Sequence, residues 1–330
     1  MSLSEIFAVR PRLLYINFML SRFSRIFVIV FVVVALFGLG TRVLAQKNGG
    51  SFFQKNESQA EMVGHNAVYD LKLTAVKRGA KILDVAGQME FDLVQACDGW
   101  KSQHGFDLRY DYIDGPARHV ESIFSLFESD LRPEFAFHSI RFIDGNLAED
   151  YSGQVGLKDE RLLGEIIDNA QQVKLPVTLS GDMVFPQAHM KKLLEAARTG
   201  KKMVNMRVFD GTVKDKAFYV TAFITPVKKT HTAQNNNTSD LTPVAHQPSA
   251  RAAIDADLLS GRGWSVRLAF FPLEEGVQDE TAFPEYEMTV LLEDNGIISE
   301  MIVEYSDFTV TQTLQSLEKR QKEGCNPHGQ

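Results

Sequence analysis

Strict alternation between apolar and polar side chains is the feature that most restricts how this chain can fold. In residues 100–112 the even-numbered positions include Trp100, Phe106 and Tyr110, whereas the intervening positions are mostly charged. Successive side chains of a β-strand point to opposite faces of the sheet. The segment is therefore predicted to be a long strand with one aromatic face and one charged face.

The same two-residue period recurs along the chain and predicts an all-β fold. Eight further segments show it: 67–73, 86–94, 121–129, 134–142, 203–211, 216–227, 263–273 and 285–305. Within the last of these, Asn295 and Gly296 separate two apolar runs, which is the strongest short-range signal for a β-hairpin. Many consecutive hairpins with little helix predict a mainly antiparallel sheet that curls into a barrel or a spiral.

One or two short helices are predicted outside the strands. Residues 186–200 have Pro186 in the first helical turn and Gly200 at the end, both of which are typical helix boundaries. Residues 311–324 are a second helix candidate. Residues 228–251 are polar, rich in Asn, Thr and Pro, and without periodicity, so they are predicted to form a mobile surface loop between two strands.

The N-terminus has the composition of a cleavable secretory signal. Arginines precede fourteen consecutive uncharged residues, Ile26–Leu39. A helix of that length spans roughly 21 Å, which is short of the roughly 30 Å hydrocarbon core of a bilayer. Val43 and Ala45 are small residues of the kind that a signal peptidase accepts. Residues 1–45 are therefore predicted to be removed on export to the periplasm, with an uncleaved anchor as the alternative.

The rest of the chain is predicted to form one domain. A flexible stretch at residues 46–61 precedes a single β-domain at 62–325, and a short tail occupies 326–330. The whole chain carries a net charge of −7, which becomes −11 without residues 1–45. A protein this acidic is repelled by phosphate backbones, so nucleic acid is not expected as a partner.

The chain has two cysteines, Cys97 and Cys325. In an oxidising compartment such a pair usually forms a disulfide. The export signal therefore predicts a structural bond between an early strand and the C-terminal tail, for which the chain-entropy model gives an upper estimate of roughly 5 kcal/mol. A redox role is not favoured, because there is no C-x-x-C motif and no basic residue flanks Cys97.

Local motifs for catalysis, metal binding and cofactor binding are missing from the sequence. It contains no G-x-S-x-G, no H-E-x-x-H and no P-loop, which are the common signatures of acyl transfer, zinc hydrolysis and nucleotide binding. No catalytic residue, metal ligand or cofactor is therefore predicted. His104 shares the aromatic face of its strand and is interpreted as a hydrogen-bonded core or rim histidine.

The aromatic face of residues 100–112 and the start of the first helix form a candidate binding groove. Its residues are Trp100, Phe106, Tyr110, Phe185 and His189. Amphipathic aromatic side chains combine a large apolar area with a polar group, which suits a binding surface. Two interpretations stay open at the helix start: Phe185 packs on the sheet as a hydrophobic staple, or His189 points into the groove. The aromatic residues could equally be plain core.

Several segments, taken in order, resemble the EipB family of periplasmic cell envelope integrity proteins. They are HNAVYDLKL, QMEFDL, CDGW, VFPQAHMKKLLEAARTG, RVFDG and EYSDFTVTQTLQSLEK, followed by a near-terminal cysteine. The resemblance covers about residues 62–325. It implies a β-spiral, which is a strongly twisted and incompletely closed barrel, with a disulfide joining Cys97 and Cys325. It also implies resistance to envelope stress, a periplasmic partner with tetratricopeptide repeats, and no known catalysis.

The sequence thus predicts a periplasmic, non-enzymatic binding or scaffold protein of the cell envelope. A first alternative is a carrier of a lipid or another apolar molecule, because a curled sheet with aromatic residues inside can leave a cavity. A second alternative is a hydrolase whose site is assembled from distant residues. An interior filled by its own side chains would argue against a carrier, and Ser, His and Asp converging in one cleft would indicate the hydrolase.

Overall fold

The computed structural model describes residues 61–212, 214, 216–227, 253–259, 261–273 and 283–324. In these residues the chain forms fourteen strands, one α-helix and one short 3-10 helix at Ala256–Leu259. The strands are β1 (His65–Val76), β2 (Ile82–Gln95), β3 (Gly99–Tyr112), β4 (Arg118–Ser129), β5 (Glu134–Ile143), β6 (Asn146–Lys158), β7 (Arg161–Asp168), β8 (Val173–Ser180), β9 (Met203–Val208), β10 (Ala217–Val227), β11 (Gly263–Leu273), β12 (Tyr286–Glu293), β13 (Ile298–Glu304) and β14 (Phe308–Lys319). The helix, α1, spans Pro186–Arg198.

All fourteen strands belong to one antiparallel sheet with a simple order. Neighbours in sequence pair from β1 to β8 and again from β9 to β14, and β1 pairs with β14 at the centre of the sheet. The two edges, β8 and β9, do not pair with each other in the described residues. The sheet is therefore an incompletely closed barrel, which confirms the all-β, mainly antiparallel prediction.

The segment between the two edge strands partly covers the gap. Val184 forms an isolated parallel bridge with Val208 of β9, and α1 begins two residues later. At the other end of α1, the Arg198 guanidinium pairs with the Asp294 carboxylate at 2.7 Å. Asp294 lies between β12 and β13, so the helix is held across the inner face of the sheet.

The inner face of the sheet is filled by side chains in two clusters. The larger cluster joins β1–β3 and β9–β14 with the buried face of α1, including Leu193 and Leu194. The smaller cluster occupies β4–β8 and is rich in phenylalanine, including Phe124, Phe135 and Phe137. Together they line the inner face of the sheet with apolar side chains.

The alternation predicts most strands correctly. In β3 most even-numbered positions, including Trp100 and Tyr110, are buried, and Lys101 and Asp107 on the opposite face are exposed. The first predicted helix is confirmed as α1. The predicted hairpin around Asn295 and Gly296 is likewise present between β12 and β13.

The second predicted helix, at residues 311–324, is wrong, because most of this segment belongs to β14. β14 pairs with both β1 and β13, so its backbone hydrogen bonds lie within the sheet. The pairing with β1 shifts register between Val68 and Tyr69. A β-bulge of this kind changes which side chains face inward, and Ser316 and Leu317 are consequently both buried.

Three strands, β6 to β8, were not predicted. β8 buries only Val177 and contains Pro176, and strands exposed on both faces carry no apolar alternation. Most of the remaining predicted segments lie outside the described residues. These are the signal at 1–45, the flexible stretch at 46–61 except residue 61, the loop at 228–251, and the tail at 326–330.

Candidate functional site

Helix α1 is attached to the sheet through a buried carboxylate. Its N-cap residue, Phe185, supplies no side-chain hydrogen bond. Instead, Glu128 of β4 accepts hydrogen bonds from the backbone N–H groups of Gln187 and Ala188, at 2.6 and 2.7 Å. The first N–H groups of a helix have no partners within the helix and attract negative charge. Glu128 thus fixes the first turn of α1 against β4.

Burial gives this carboxylate an unusual pKa. Loss of solvent raises the pKa of Glu128 to about 7, although the two backbone hydrogen bonds and the nearby ammonium of Lys191 act in the opposite direction. Lys191 forms an ion pair with Asp130 and lies 5.8 Å from the ring centroid of Trp100. The start of α1 therefore brings a carboxyl group, an ammonium group and an aromatic ring together around one helical turn.

A small apolar cavity of about 80 Å³ lies between the first turns of α1 and the inner face of the sheet. Its lining residues come from α1, from strands β1 to β4, and from the β12–β13 hairpin. They are Met62, His65, Tyr69, Met89, Phe91, Leu93, His104, Leu126, Pro186, Gln187, Met190, Gly296, Ile298 and Met301. The cavity is thus rich in methionine and contains two histidines.

A row of three rings crosses the cavity wall. The ring of Phe91 lies between His65 and His104, with centroid separations of 5.2 and 4.8 Å. The Nδ1–H group of His65 donates to the carbonyl oxygen of Val63 at 2.8 Å. Burial lowers the pKa of His65 to about 4 and that of His104 to about 3. Both imidazoles are therefore neutral at neutral pH.

The chain matches a known protein family over most of its length. A family model described as EipB-like matches residues 56–321. The chain belongs to the EipB-like family. The resemblance of the sequence segments to this family is thereby confirmed.

Two comparisons with individual proteins agree with membership of the EipB-like family. The chain is 24% identical over 274 residues to the cell envelope integrity protein EipB of Brucella abortus (strain 2308), which covers 82% of this chain and 90% of that protein. A crystal structure of a β-barrel-like protein of a domain of unknown function from Brucella abortus matches with a TM-score of 0.65 at 23% identity. That match covers 79% of this chain and all of the other one, and it shows the shared fold.

The structure places the five candidate groove residues of this EipB-like protein in the buried interior. Trp100 lies beside α1, next to Lys191, whereas Phe106 and Tyr110 continue along β3 into the larger cluster. Phe185 stacks on the ring of Phe135 at 5.0 Å, as a hydrophobic staple would. None of the five is among the described residues that line the cavity, and their role in binding stays a prediction.

His189 lies deeper than a groove residue. Its side chain is fully buried, and neither ring nitrogen has a hydrogen-bond partner among the described residues. Burial lowers the pKa of His189 well below its usual value, so the ring is neutral.

Sequence reasoning missed the cavity-lining residues His65, Met89 and Met301, because they come from separate strands and share no local motif.

In this EipB-like protein the C-terminal end of the described chain lies close to Cys97. The backbone N–H of Glu323 donates to the carbonyl oxygen of Gln95 at 3.0 Å, and its carboxylate pairs with Lys101 at 2.8 Å. Glu323 thus lies beside the turn that contains Cys97. Cys325 is outside the described residues.

Two histidine–aspartate pairs lie on exposed surfaces rather than in a cleft. His119 contacts Asp107 at 2.7 Å, and His138 contacts Asp150 at 3.0 Å. Glu121 adds a second carboxylate beside the first pair, and all three side chains are exposed.

In the part of the chain that is described, no helix combines the length and hydropathy needed to cross a bilayer.

Proposed function

We propose that this protein is a periplasmic, non-enzymatic binding or scaffold protein that supports the integrity of the cell envelope under stress. The observation that carries the proposal is its similarity, over 82% of the chain, to a protein named for cell envelope integrity. The EipB-like family model, which matches residues 56–321, supports it further. The signal-like segment at residues 1–45 supports export.

The packed interior favours a surface-binding protein over a carrier. The two clusters fill the inner face of the sheet, and the cavity beneath α1 measures about 80 Å³. Pockets for small molecules usually measure roughly 300–1,000 Å³. An acyl chain would therefore fit in this cavity only if α1 moved away from the sheet.

A protein partner is part of the proposal. Resemblance to the EipB family implies a periplasmic partner with tetratricopeptide repeats. The net charge of −11 without residues 1–45 favours a partner surface of opposite charge, because complementary potentials steer association. The exposed histidine–aspartate pairs lie outside any described cleft, so they give the hydrolase alternative no support.

A disulfide between Cys97 and Cys325 is also proposed, as a clamp on the C-terminal segment. Its support is the position of Glu323, two residues before Cys325, against Gln95 and Lys101 on either side of Cys97. In the periplasm such a pair would be oxidised. The bond would hold the end of the chain against the β2–β3 turn.

Deletion of the gene tests the envelope role. We expect the deletion strain to become sensitive to detergents and to cell-wall inhibitors, and the full-length gene to restore growth. A version that lacks residues 1–45 is the control, and it should be made in the cytoplasm and should not restore growth. Unchanged sensitivity of the deletion strain would contradict the envelope role, and restoration by the cytoplasmic version would contradict the periplasmic location.

Native purification from periplasm distinguishes binding of a protein partner from carriage of a lipid. We expect a protein to co-purify at fixed stoichiometry, and organic extraction of the complex to yield no bound lipid. A lipid recovered at one molecule per chain would instead support the carrier alternative. Mass spectrometry of both fractions makes the measurement.

A further inference from the structure

Two carboxylates face each other on the outer surface of the sheet. Asp107 of β3 and Glu121 of β4 are directly opposite in the antiparallel register, and both side chains are exposed. Like charges in this position destabilise a pair of strands. The guanidinium of Arg109, two residues further along β3, donates to Asp111 instead. Glu121 itself forms no hydrogen bond or ion pair in the described part of the chain. The two carboxylates therefore repel each other without a described lysine or arginine between them.

His119 adds a nitrogen ligand to the two carboxylates. It precedes Glu121 by two residues in β4, so both side chains point to the same face, and its Nε2 atom lies 2.7 Å from Oδ1 of Asp107. One ligand atom from each of the three residues lies within 4.8 Å of those of the other two. Neighbouring ligand atoms around tetrahedral zinc are about 3.3–3.6 Å apart, given metal–ligand bonds of about 2.0–2.2 Å. Side-chain movements of at most about 1.5 Å would therefore produce a zinc site.

The backbone that carries the three side chains is held by the sheet. Leu108 and Val120, the neighbours of Asp107 and His119, are opposite in the register and buried on the inner face. The backbone N–H of His119 also donates to the carboxylate of Asp144 at 2.9 Å. Sites built on strands hold their geometry better than sites built on loops. The three ligands are thus fixed at their backbones, while their exposed side chains can adjust to an ion.

A second histidine–aspartate pair on the same sheet provides a comparison. His138 contacts Asp150 at 3.0 Å, and its side chain is 50% exposed, against 48% for His119. No third ligating side chain joins His138 and Asp150 in the described residues. The amide of Asn169 instead donates to Asp150 at 2.7 Å. The two pairs therefore differ in the feature that a metal ion requires.

We propose that Asp107, His119 and Glu121 bind one Zn²⁺ ion on the outer face of the sheet, with water in the fourth position. Imidazole nitrogen and carboxylate oxygen are both zinc ligands, whereas Mg²⁺ and Ca²⁺ prefer oxygen ligands alone. The ordinary alternative is a plain surface ion pair between His119 and Asp107. The three side chains lie outside any described cleft, so ion binding and not hydrolysis is proposed. The inference does not depend on the envelope role.

Equilibrium dialysis of the protein purified from periplasm measures zinc binding. The protein carries no polyhistidine tag, is first stripped of metal with a chelator, and is then dialysed against Zn²⁺ in the presence of excess Mg²⁺. We expect one Zn²⁺ to be retained per chain with a micromolar Kd. The melting temperature should also rise, as for any ligand that binds only the folded state. Failure to retain zinc, or displacement of zinc by Mg²⁺, would overturn the proposal.

Matched substitutions locate the ion. His119→Gln and Glu121→Gln should each weaken zinc binding by roughly 10–100-fold, since loss even of the outer partners of metal ligands has an effect of this size. His138→Gln is the control, because His138 belongs to the pair without a third ligand, and it should bind zinc like the unmodified protein. Equal binding by His119→Gln and the unmodified protein, as expected if zinc binds to other histidines of the chain, would overturn the proposal.

Nuclear magnetic resonance of the imidazole rings separates coordination from a change in stability. On addition of Zn²⁺ the ring nitrogen signals of His119 should shift, whereas those of His138 should not. The substituted side chains are exposed, so the variants should fold, and circular dichroism checks this. If His119→Gln unfolds, Asp107→Asn replaces it, with the same loss of zinc binding expected. Ring signals of His119 that stay unchanged at saturating Zn²⁺ would contradict the site.

Discussion

The Oε2 atom of Glu128 lies 2.6 Å from the backbone nitrogen of Gln187. This contact joins β4 to the first turn of α1 across 59 residues of sequence. It also buries a carboxylate whose pKa rises to about 7 through loss of solvent. The helix that covers the cavity is therefore attached to the sheet by a group that changes charge near neutral pH.

The stability of the fold should depend on pH through Glu128. Its pKa is raised from 4.5 to about 7 in the folded protein, so between these values the folded state holds a proton that the unfolded state has lost. The contribution of Glu128 to the free energy of unfolding therefore falls as pH rises from about 4.5 to about 7. Glu128→Gln should remove this dependence, which we expect to be about 2–3 kcal/mol over the whole window.

Urea unfolding at several pH values measures the difference between the two proteins. Glu121→Gln is the control, because Glu121 is exposed on the same strand. The free energy of unfolding of Glu128→Gln, minus that of the unmodified protein, should increase across the window, while the control should follow the unmodified protein. A difference that stays constant from pH 4.5 to 7 would show that Glu128 does not titrate there.

Cys97 and Cys325 should be oxidised to each other in the exported protein. Peptide mapping without reductant is expected to give one cross-linked pair of peptides. Cys97→Ser and Cys325→Ser should each lower the free energy of unfolding by roughly 2–5 kcal/mol, and the double variant should be no less stable than either single one. Alkylatable thiols in freshly prepared periplasm, or unchanged melting temperatures in the variants, would contradict the proposed bond.

Replacement of Trp100 should separate packing from binding. Trp100 is 3% exposed, so Trp100→Ala is expected to cost roughly 3–5 kcal/mol of stability. Trp100→Phe keeps most of the packing, and we expect it to reduce recovery of the co-purifying protein beyond its loss of stability. Phe270→Leu, in the larger cluster, is the stability control. If Trp100→Ala and Trp100→Phe reduce recovery of the partner protein only in proportion to their loss of stability, as Phe270→Leu does, the groove hypothesis is contradicted.

Two glycines with similar backbone angles should respond differently to alanine. Gly145 and Gly211 have φ values of +76° and +72°. An added methyl group would meet nothing within 4 Å at Gly145 but would lie 2.7 Å from the ring of Phe137 at Gly211. Gly145→Ala should therefore cost about 1–2 kcal/mol from backbone strain alone. Gly211→Ala should cost a further 1–3 kcal/mol, roughly, from overpacking, and equal melting temperatures would contradict this assignment.

Most strands that bury one face could be predicted from sequence, but β7, which buries Leu162 and Ile166, was not. β3 shows alternation because one of its faces packs against the core. β8 has a single buried residue, Val177, so burial leaves no periodic trace in it. In β14 the bulge opposite Val68 and Tyr69 interrupts the period, so the sequence pattern does not indicate a strand there.

The site was less predictable than the fold. Phe185 and Pro186 mark the helix start in a way that local sequence reveals. The attachment of that helix to Glu128 depends on a strand that is far from it in the chain. A curled sheet brings residues from distant strands together, and their spacing in the sequence does not reveal this proximity.

The pairing of β1 with β14 makes the last strand the middle of the sheet. His65 faces Lys319 across this pair, with eight strands on the β1 side and six on the β14 side. A truncation that removes β14 would therefore not simply remove an edge strand of the sheet. It would split the molecule into two separate meanders, each with a newly bared hydrogen-bonding edge. A nascent chain has that divided form until β14 has emerged, so its two unpaired strand edges are exposed to aggregation until then.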